Sequence, residues 1–195
     1  MNNTYKAKHS NEVIQQRLAI IKDALVQVKA SIYVPENDYG TLYFRTNEIN
    51  EGDDLKSLLP TLQYCNVCIK GALFLSAVKF NNQWVIPKDN LSNYNNRFNI
   101  IDIWYNNIHN YFELLNSKEE LFNLAELDLV EIAFDRNDYN ISYKADFIKY
   151  YNVEDCYLEF INKIIDWSNK FSSRSQIMIA ILENMLANNS YFIID

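Results

Sequence analysis

The sequence predicts a mostly helical fold, a single compact domain over residues 1–195 with about six helices and one or two short strands or hairpins. Apolar residues recur every three or four positions along several segments, which is the spacing of one helix face. Strand-like alternation is confined to short stretches. With 49% hydrophobic and 22% charged residues, the 195-residue chain has a globular composition and can bury one sizeable core.

The first half of the chain begins with an amphipathic helix over residues 12–31, with Arg17 off its apolar stripe. The predicted stripe consists of Ile14, Leu18, Ile21, Leu25 and Val28. Residues 41–45 form a short strand inside a turn-rich, acidic segment. Pro60 suits the first turn of a helix, which we expect to run to Phe80.

The second half contains three further helical patterns after a brief strand at 84–86 and a helix at 100–115. A capping box at 117–120, Ser with Glu three positions later, opens a helix that ends near Phe134. Residues 135–143 form a loop or short hairpin, and 153–171 again carry a helical stripe. A second capping box at 173–176 precedes a helix over 177–187. That helix is apolar nearly all round, which is typical of a buried central helix, and Asn188-Asn189 supplies a left-handed stop.

Charge and composition exclude several classes of function. The net charge of −7 disfavours nucleic acid and favours a basic protein partner. No apolar run is long enough to span a bilayer, and no apolar stretch follows the first lysines, so we expect neither a membrane partner nor a secretory signal and place the protein in the cytoplasm. The three glycines form no G-x-G pair, so a nucleotide-binding loop is not predicted, and neither is a cofactor.

Cys65 and Cys68 form the most pointed local motif, a C-x-x-C. In thioredoxin-like proteins such a pair begins a helix after a strand, which lowers a thiol pKa. The helix expected from Pro60 has already begun at this point, which weakens the redox interpretation. Zinc would need two more ligands, for which Cys156, His9 and His109 are the candidates, none at diagnostic spacing. Packing of small residues against a neighbouring helix is the favoured interpretation.

His109 lies four residues before Glu113, so the two side chains can face each other on a helix. This spacing suits a two-ligand metal pair or an acid–base pair. No second histidine motif supports either, and a structural histidine is the favoured interpretation.

Acidic residues concentrate in one segment, since residues 113–138 carry eight acidic and two basic side chains. Asp128, Glu131 and Asp135 follow at intervals of three and four, so they line one side of a helix. Such a charge run usually forms a solvated helix face. Alternatively, these three residues form a docking surface for a basic protein partner.

Tyrosine is abundant, with 14 residues in the chain. Those in predicted loops or on polar faces are Tyr5, Tyr33, Tyr39, Tyr43, Tyr94 and Tyr105. Tyrosine is favoured at protein interfaces, but AT-rich codon usage explains the abundance equally well.

Three blocks of the sequence resemble a family of small, uncharacterised proteins of bacteria, including the Bacteroides group, and of their phages. The blocks have the forms C-x-x-C-x-x-G-A-L-F-x-S at 65–76, L-x-L-(I/V)-E-x-A-F at 127–134, and I-M-x-x-I-x-x-N near the C-terminus. Ser190 stands where the family pattern has a glycine. The resemblance implies an origin and a fold but no activity.

The leading functional hypothesis is a non-enzymatic binding protein of a phage or mobile element. It would dock a host protein through an acidic, tyrosine-rich surface, as an anti-defence or immunity-type inhibitor does. The alternatives are a small-ligand binder that takes a nucleotide-like signal, an enzyme or metal-dependent domain centred on Cys65, Cys68 and His109, and a virion component or homo-oligomer.

Overall fold

Helices dominate the part of the chain that the structure, a computed structural model, describes. Those residues are 9–36, 41–44, 53–80, 97–99, 121–138, 141 and 144–194. The mostly helical class is confirmed, while the sheet has four strands where the sequence predicts one or two. The predictions at 84–86, at 100–115 and for the capping box at 117–120 lie outside these residues.

The described helices and strands have the following bounds. The helices are α1 Asn11–Lys29, α2 Leu55–Leu58, α3 Ile69–Phe80, α4 Leu124–Asp135, α5 Lys144–Tyr151, α6 Tyr157–Ser168 and α7 Arg174–Ala187. The strands are β1 Tyr33–Pro35, β2 Thr41–Phe44, β3 Leu62–Val67 and β4 Arg97–Asn99. The first helix and the strand at 41–45 are therefore found close to their predicted bounds.

The four strands form one mixed sheet in the order β1-β3-β2-β4. Strand β3 pairs parallel with β1, with Tyr33 opposite Cys65, and antiparallel with β2, with Thr41 opposite Asn66. Strand β2 continues antiparallel to β4. The sheet therefore places Cys65 in a strand that is hydrogen-bonded on both sides.

The helix predicted from Pro60 to Phe80 is wrong in its first half. Pro60 lies in a short 3-10 turn, Leu59–Thr61, and the chain then extends as β3 before α3 begins at Ile69. Proline suits the first turn of a 3-10 helix as well as that of an α-helix, because its missing N–H is not needed there. Pairing of β3 with two strands from elsewhere in the chain decides its conformation.

Of the helices that the structure describes, two are buried on all sides, and α7 is not one of them. Residues 69–78 of α3 and 126–134 of α4 are all buried. Helix α7 buries one face, which consists of Ile177, Met178, Ile181, Leu182 and Met185. The expectation that 177–187 form the central helix is therefore wrong, and α3 and α4 occupy that place.

Helix α1 packs against α3 and α7 with a face that differs from the predicted stripe. Its buried residues are Val13, Arg17, Ile20, Ile21, Ala24 and Val28. Leu18 and Leu25 are only partly buried. Arg17, which the stripe leaves out, is 1% exposed and belongs to the core.

Helix α4 begins at Leu124, with Asn123 as its N-cap. The side chain of Asn123 accepts a hydrogen bond from the Glu126 N–H, and the Glu126 carboxylate accepts one from the Asn123 N–H. This reciprocal pair satisfies two backbone donors at the helix start. It also fixes the Glu126 side chain next to α1.

The chain leaves α7 through a left-handed turn, as Asn188-Asn189 predict. Asn189 has φ of 52° and Ser190 has φ of 75°. Ser190 therefore adopts a conformation that favours glycine, the residue of the resembled pattern at this position. The turn brings the Ser190 carbonyl to the buried side chain of Arg17.

Within the described residues, no helix combines the length and the apolar character needed to cross a membrane.

Candidate functional site

Several residues that the sequence singles out meet in one buried group of ionisable side chains, the Lys70 cluster. It consists of Cys68 directly before α3, Lys70 at the start of α3, and Asp128, Glu131 and Asp135 from α4. Lys70, Asp128 and Glu131 are 3%, 2% and 3% exposed. Two of the three resembled blocks, 65–76 and 127–134, therefore come together here through their polar residues.

The centre of the cluster is a buried ion pair. Lys70 donates to Asp128, with Nζ 2.9 Å from Oδ1. Around it, the Gly71 N–H donates to the Cys68 sulfur at 3.4 Å, and Arg174 donates to Asp135 at 3.1 Å. The ion pair links α3 to α4 inside the core, where a lone charge would be costly.

Glu131 is the unusual member of the Lys70 cluster. The pKa of Glu131 is raised to about 7, chiefly by burial. The charge of Lys70 and a hydrogen bond with Cys68 lower this pKa, while the charges of Asp135 and Asp128 add to its rise. Its Oε2 atom is buried and has no hydrogen-bond partner. Glu131 therefore takes up and releases a proton near neutral pH inside the core.

Lys70 keeps its charge in spite of its burial. Burial alone would lower the pKa of Lys70, but the carboxylates of Glu131 and Asp128 outweigh it and leave the pKa raised. The cluster therefore contains one permanent cation, shared by Asp128 and Glu131.

An exposed acidic face formed by Asp128, Glu131 and Asp135 is contradicted by the structure. Asp128 and Glu131 are fully buried, and the Asp135 side chain is 8% exposed and paired with Arg174. The solvated-face interpretation and the docking surface for a basic partner both required exposure. Both are wrong, because α4 is covered on all sides and its acids are matched by Lys70 and Arg174.

The cysteine motif lies at a strand-to-helix junction, contrary to the prediction that its helix begins a turn earlier. Cys65 is in β3 and Cys68 directly precedes α3, so the helix N-terminus lies next to Cys68 but four residues after Cys65. Both thiols are free and fully buried. Burial raises the pKa of the Cys65 and Cys68 thiols, so both are protonated and poorly nucleophilic at neutral pH.

Among the described residues, the predicted metal ligands do not form one site. His109 and Glu113 lie outside the described residues. His9 lies against Glu126, and Cys156 precedes α6. Among the residues that are described, no group of three or more His, Cys, Asp or Glu side chains is arranged to hold a metal ion.

The structure tests the prediction that several tyrosines form an interaction surface at one position, Tyr33. Tyr33 is 1% exposed, and its ring lies 5.5 Å from the Lys79 ammonium. It is therefore a core residue and not part of a binding surface. Tyr43 lies in β2, and the other four tyrosines lie outside the described residues.

A second buried charge, that of Arg17, was not predicted from the sequence. We term Arg17 and the residues that contact its side chain, Phe122, Glu126, Ser190 and Tyr191, the Arg17 clasp. The Arg17 guanidinium lies between the rings of Phe122 and Tyr191, 4.6 and 4.8 Å from their centroids. It pairs with Glu126 at 3.1 Å and donates to the Ser190 carbonyl at 3.1 Å. The clasp therefore joins α1, α4 and the C-terminal turn.

Glu126 remains ionised within this clasp. Burial alone would raise the pKa of Glu126, but the contacts of His9 and the charge of Arg17 outweigh it and lower the pKa. Tyr150 also donates to Glu126 at 3.3 Å. The Lys70 cluster and the Arg17 clasp therefore both have a structural role, since each joins separate elements of the fold.

The described surface contains a groove at the C-terminal ends of α1 and α3, which we term the α1–α3 groove. It has a volume of about 500 Å³. Its lining consists of Gln27, Ile32, Lys56, Leu59, Pro60, Leu62 and Lys79. This volume lies within the range of ligand-binding pockets, and the mixture of apolar and polar lining is typical of them.

Replacing Glu131 by glutamine is expected to change the pH dependence of stability. The folded-state pKa of Glu131, about 7, lies above its usual value of 4.5. The wild type therefore loses up to about 3 kcal/mol of stability as pH rises through this window. The variant lacks this loss, so it should be more stable than the wild type at pH 8 and similar at pH 5. Urea unfolding between pH 5 and 8 measures the difference.

Glu183→Gln is the matched control, because Glu183 is exposed and pairs with the exposed Lys29. Its unfolding midpoints should follow those of the wild type over the whole range. Parallel curves for the wild type and Glu131→Gln would contradict the proton uptake assigned to Glu131.

No protein-family model, curated protein or solved structure matches the chain.

Proposed function

We propose that this chain is a non-enzymatic binding protein whose recognition site is the α1–α3 groove. The observation that carries the proposal is the groove itself, about 500 Å³ in volume, with Leu59 and Leu62 at its base. Val26 and Phe80, the chain neighbours of Gln27 and Lys79, are 53% and 54% exposed. Exposed apolar side chains beside a concave site favour association with a partner.

The chemistry of the buried groups supports binding over catalysis. Four of the ionisable residues that the sequence offers for chemistry lie in the core, namely Cys65, Cys68, Asp128 and Glu131, while His109 lies outside the described residues. The two thiols are held protonated, and Asp128 is committed to Lys70. These groups therefore serve the fold, and recognition falls to the surface.

As the partner class we propose a host protein, which the chain would bind in the manner of an anti-defence or immunity-type inhibitor. The resemblance to small phage and bacterial proteins supports this proposal through the origin that it implies. The acidic residues of α4 have no part in the proposed contact, which is made by the groove.

A groove-filling variant tests the proposal. Gln27→Trp places a large side chain in the groove at a partly buried position of α1. Gln15→Trp is the matched control, because Gln15 is exposed on the same helix and does not line the groove. In affinity capture from host lysate with quantitative mass spectrometry, we expect one host protein to be retained by the wild type and by Gln15→Trp. The Gln27→Trp variant should retain it at least tenfold less. Equal retention by both variants would contradict the groove as the recognition site.

A further inference from the structure

The carboxyl groups of the Lys70 cluster outnumber the cations that pair with them among the described residues. Asp128 is paired with Lys70 at 2.9 Å. Asp135 is paired with Arg174 at 3.1 Å. Glu131 is the third carboxyl group, and its Oε2 atom is buried without a hydrogen-bond partner. The charges of these five side chains therefore sum to zero only while Glu131 holds its proton.

Helices α3, α5, α6 and α7 pack against α4 and bring ionisable groups to it. The contacts of α5 and α6 are made at or beyond the two ends of α4. Lys70 is the cation that acts on Glu131, and it is already bonded to Asp128. The groups are Lys70 of α3 with Cys68 directly before it, Lys144, Tyr150 and Tyr151 of α5, Tyr157 of α6, and Arg174 of α7.

The Cys68 thiol lies between Glu131 and the start of α3. It is hydrogen-bonded with Glu131, and its sulfur accepts a hydrogen bond from the Gly71 N–H at 3.4 Å. The residue is fully buried. A separation of the start of α3 from α4 would therefore break the contact with Glu131 and expose this thiol to water.

Cys65 is a reference for such a movement, because it is buried as completely but lies in the sheet. Tyr33 of β1 and Leu42 of β2 are its partners in the two neighbouring strands. A movement confined to α3 and α4 would leave Cys65 covered.

We propose that ionisation of Glu131 opens the contact between the start of α3 and α4 and exposes the Cys68 thiol, so that the Lys70 cluster acts as a proton-controlled switch. An ionised Glu131 leaves an unmatched negative charge in the core, which is costly while the contact stays closed. In the open form, water solvates the carboxylate. Openings of this kind can involve one part of a protein while the rest stays folded.

The direction of the pH dependence follows from the folded-state pKa of Glu131. This pKa is about 7, above the usual value of 4.5, so the closed form binds the proton more tightly than the open form. The closed form is therefore favoured at low pH and loses this advantage as the pH rises from 4.5 to about 7. The inference concerns the core and is independent of the function proposed for the groove.

Labelling of the full chain with iodoacetamide, followed by residue-level mass spectrometry, tests the switch. The wild type and Glu131→Gln are compared at pH 6 and pH 8, because the ratio of their rates at each pH removes the intrinsic pH dependence of thiol chemistry. For Cys68, we expect this ratio to rise by about tenfold between the two pH values. Cys156, which is partly exposed, is the control in the same molecules, and its ratio should not change.

The two buried thiols of the wild type show whether the opening is local. At pH 8, Cys68 should be labelled at least about tenfold faster than Cys65. Urea below the unfolding transition should accelerate labelling of Cys65 more than that of Cys68, because exposure of Cys65 requires disruption of the sheet.

Three results would each overturn the switch: an unchanged Cys68 ratio between pH 6 and pH 8, equal labelling of Cys65 and Cys68, or no labelling of Cys68 at pH 8. Equal labelling would mean that Cys68 becomes exposed only when the whole chain unfolds. If Glu131→Gln does not fold, the rate of Cys68 relative to Cys156 in the wild type replaces the variant and should show the same rise. The capture experiment with Gln27→Trp is unaffected by any of these results.

Discussion

Replacing Lys70 by methionine is expected to lower the free energy of unfolding by about 3–5 kcal/mol at pH 8. Lys70 is the ammonium partner of Asp128 and lies within the influence of Glu131. Its removal leaves two buried carboxyl groups without a cation, and each then ionises only at a large cost. Because protonation relieves that cost, the loss should be smaller at pH 5. Chemical denaturation at the two pH values measures it.

The matched control for this prediction lies on the same helix. Lys79 pairs with Asp23, but the two side chains are 27% and 19% exposed. Lys79→Met should therefore cost no more than about 1 kcal/mol. The double variant Lys70→Met/Asp128→Leu should regain much of the stability, because it removes the charge together with its partner. A loss for Lys70→Met no larger than that for Lys79→Met would contradict the buried ion pair.

Replacing Arg17 by leucine is expected to lower the free energy of unfolding by about 3–5 kcal/mol at pH 7. The substitution leaves Glu126 buried without its guanidinium, leaves the Ser190 carbonyl without its donor, and removes two cation–π contacts. Arg17→Lys keeps the charge but lacks the planar guanidinium group. Its free energy of unfolding should therefore lie between those of the wild type and Arg17→Leu. Lys22→Leu, at an exposed position of α1, is the control and should change stability by less than about 0.5 kcal/mol.

The pH dependence of the same variant gives a second check. The folded-state pKa of Glu126 lies below its usual value of 4.5, so Glu126 contributes stability above that pH and loses it as pH falls through the lower folded pKa. Arg17→Leu should weaken this acid-dependent loss. A variant that is as stable as the wild type, with the same acid transition, would contradict the clasp.

The sequence predicts best those elements that have one solvent-exposed face and one buried face. Helix α1 is found near its predicted bounds because its buried and exposed residues alternate with a helical period. The cap of α7 at Ser173 is also found as predicted, with the Gln176 N–H donating to the serine hydroxyl. In both places, the local signal and the tertiary structure agree on where the helix begins, although the buried face of α1 differs from the predicted stripe.

Elements that are buried on all sides are predicted less well. Helix α3 and most of α4 have no polar face from which a period could be recognised. Strand β3 is decided by pairing with β1 and β2, and such pairing is not encoded in its own residues. The predicted start of α3 at Pro60 is nine residues too early because the residues of this strand were assigned to the helix.

The Lys70 cluster was not predicted from the sequence for a related reason. The spacing of Asp128 and Glu131 is the same on an exposed helix and on a buried one. What decides their environment is Lys70, which lies 58 residues from Asp128 in the chain. A usable signal was present, because Lys70 is the one charged residue in the apolar run at 65–78. A lone charge in such a run predicts a buried ion pair and therefore an acidic partner elsewhere.

The groove could not be predicted from any pattern. Its lining comes from α1, the residue before β1, α2, the turn at Leu59–Thr61, β3 and α3. No two of these segments share a motif, and only the tertiary structure brings Lys56 and Lys79 to one rim.

The acidic residues Asp128 and Glu131 of α4 form part of the core, and we therefore propose that another surface serves recognition. Carbodiimide labelling of carboxyl groups in the native protein, with residue-level mass spectrometry, tests it directly. Asp128 and Glu131 should react at least about tenfold more slowly than Glu159 and Asp166, which are exposed on α6. Labelling of all four at the same rate would place Asp128 and Glu131 at the surface and contradict the account.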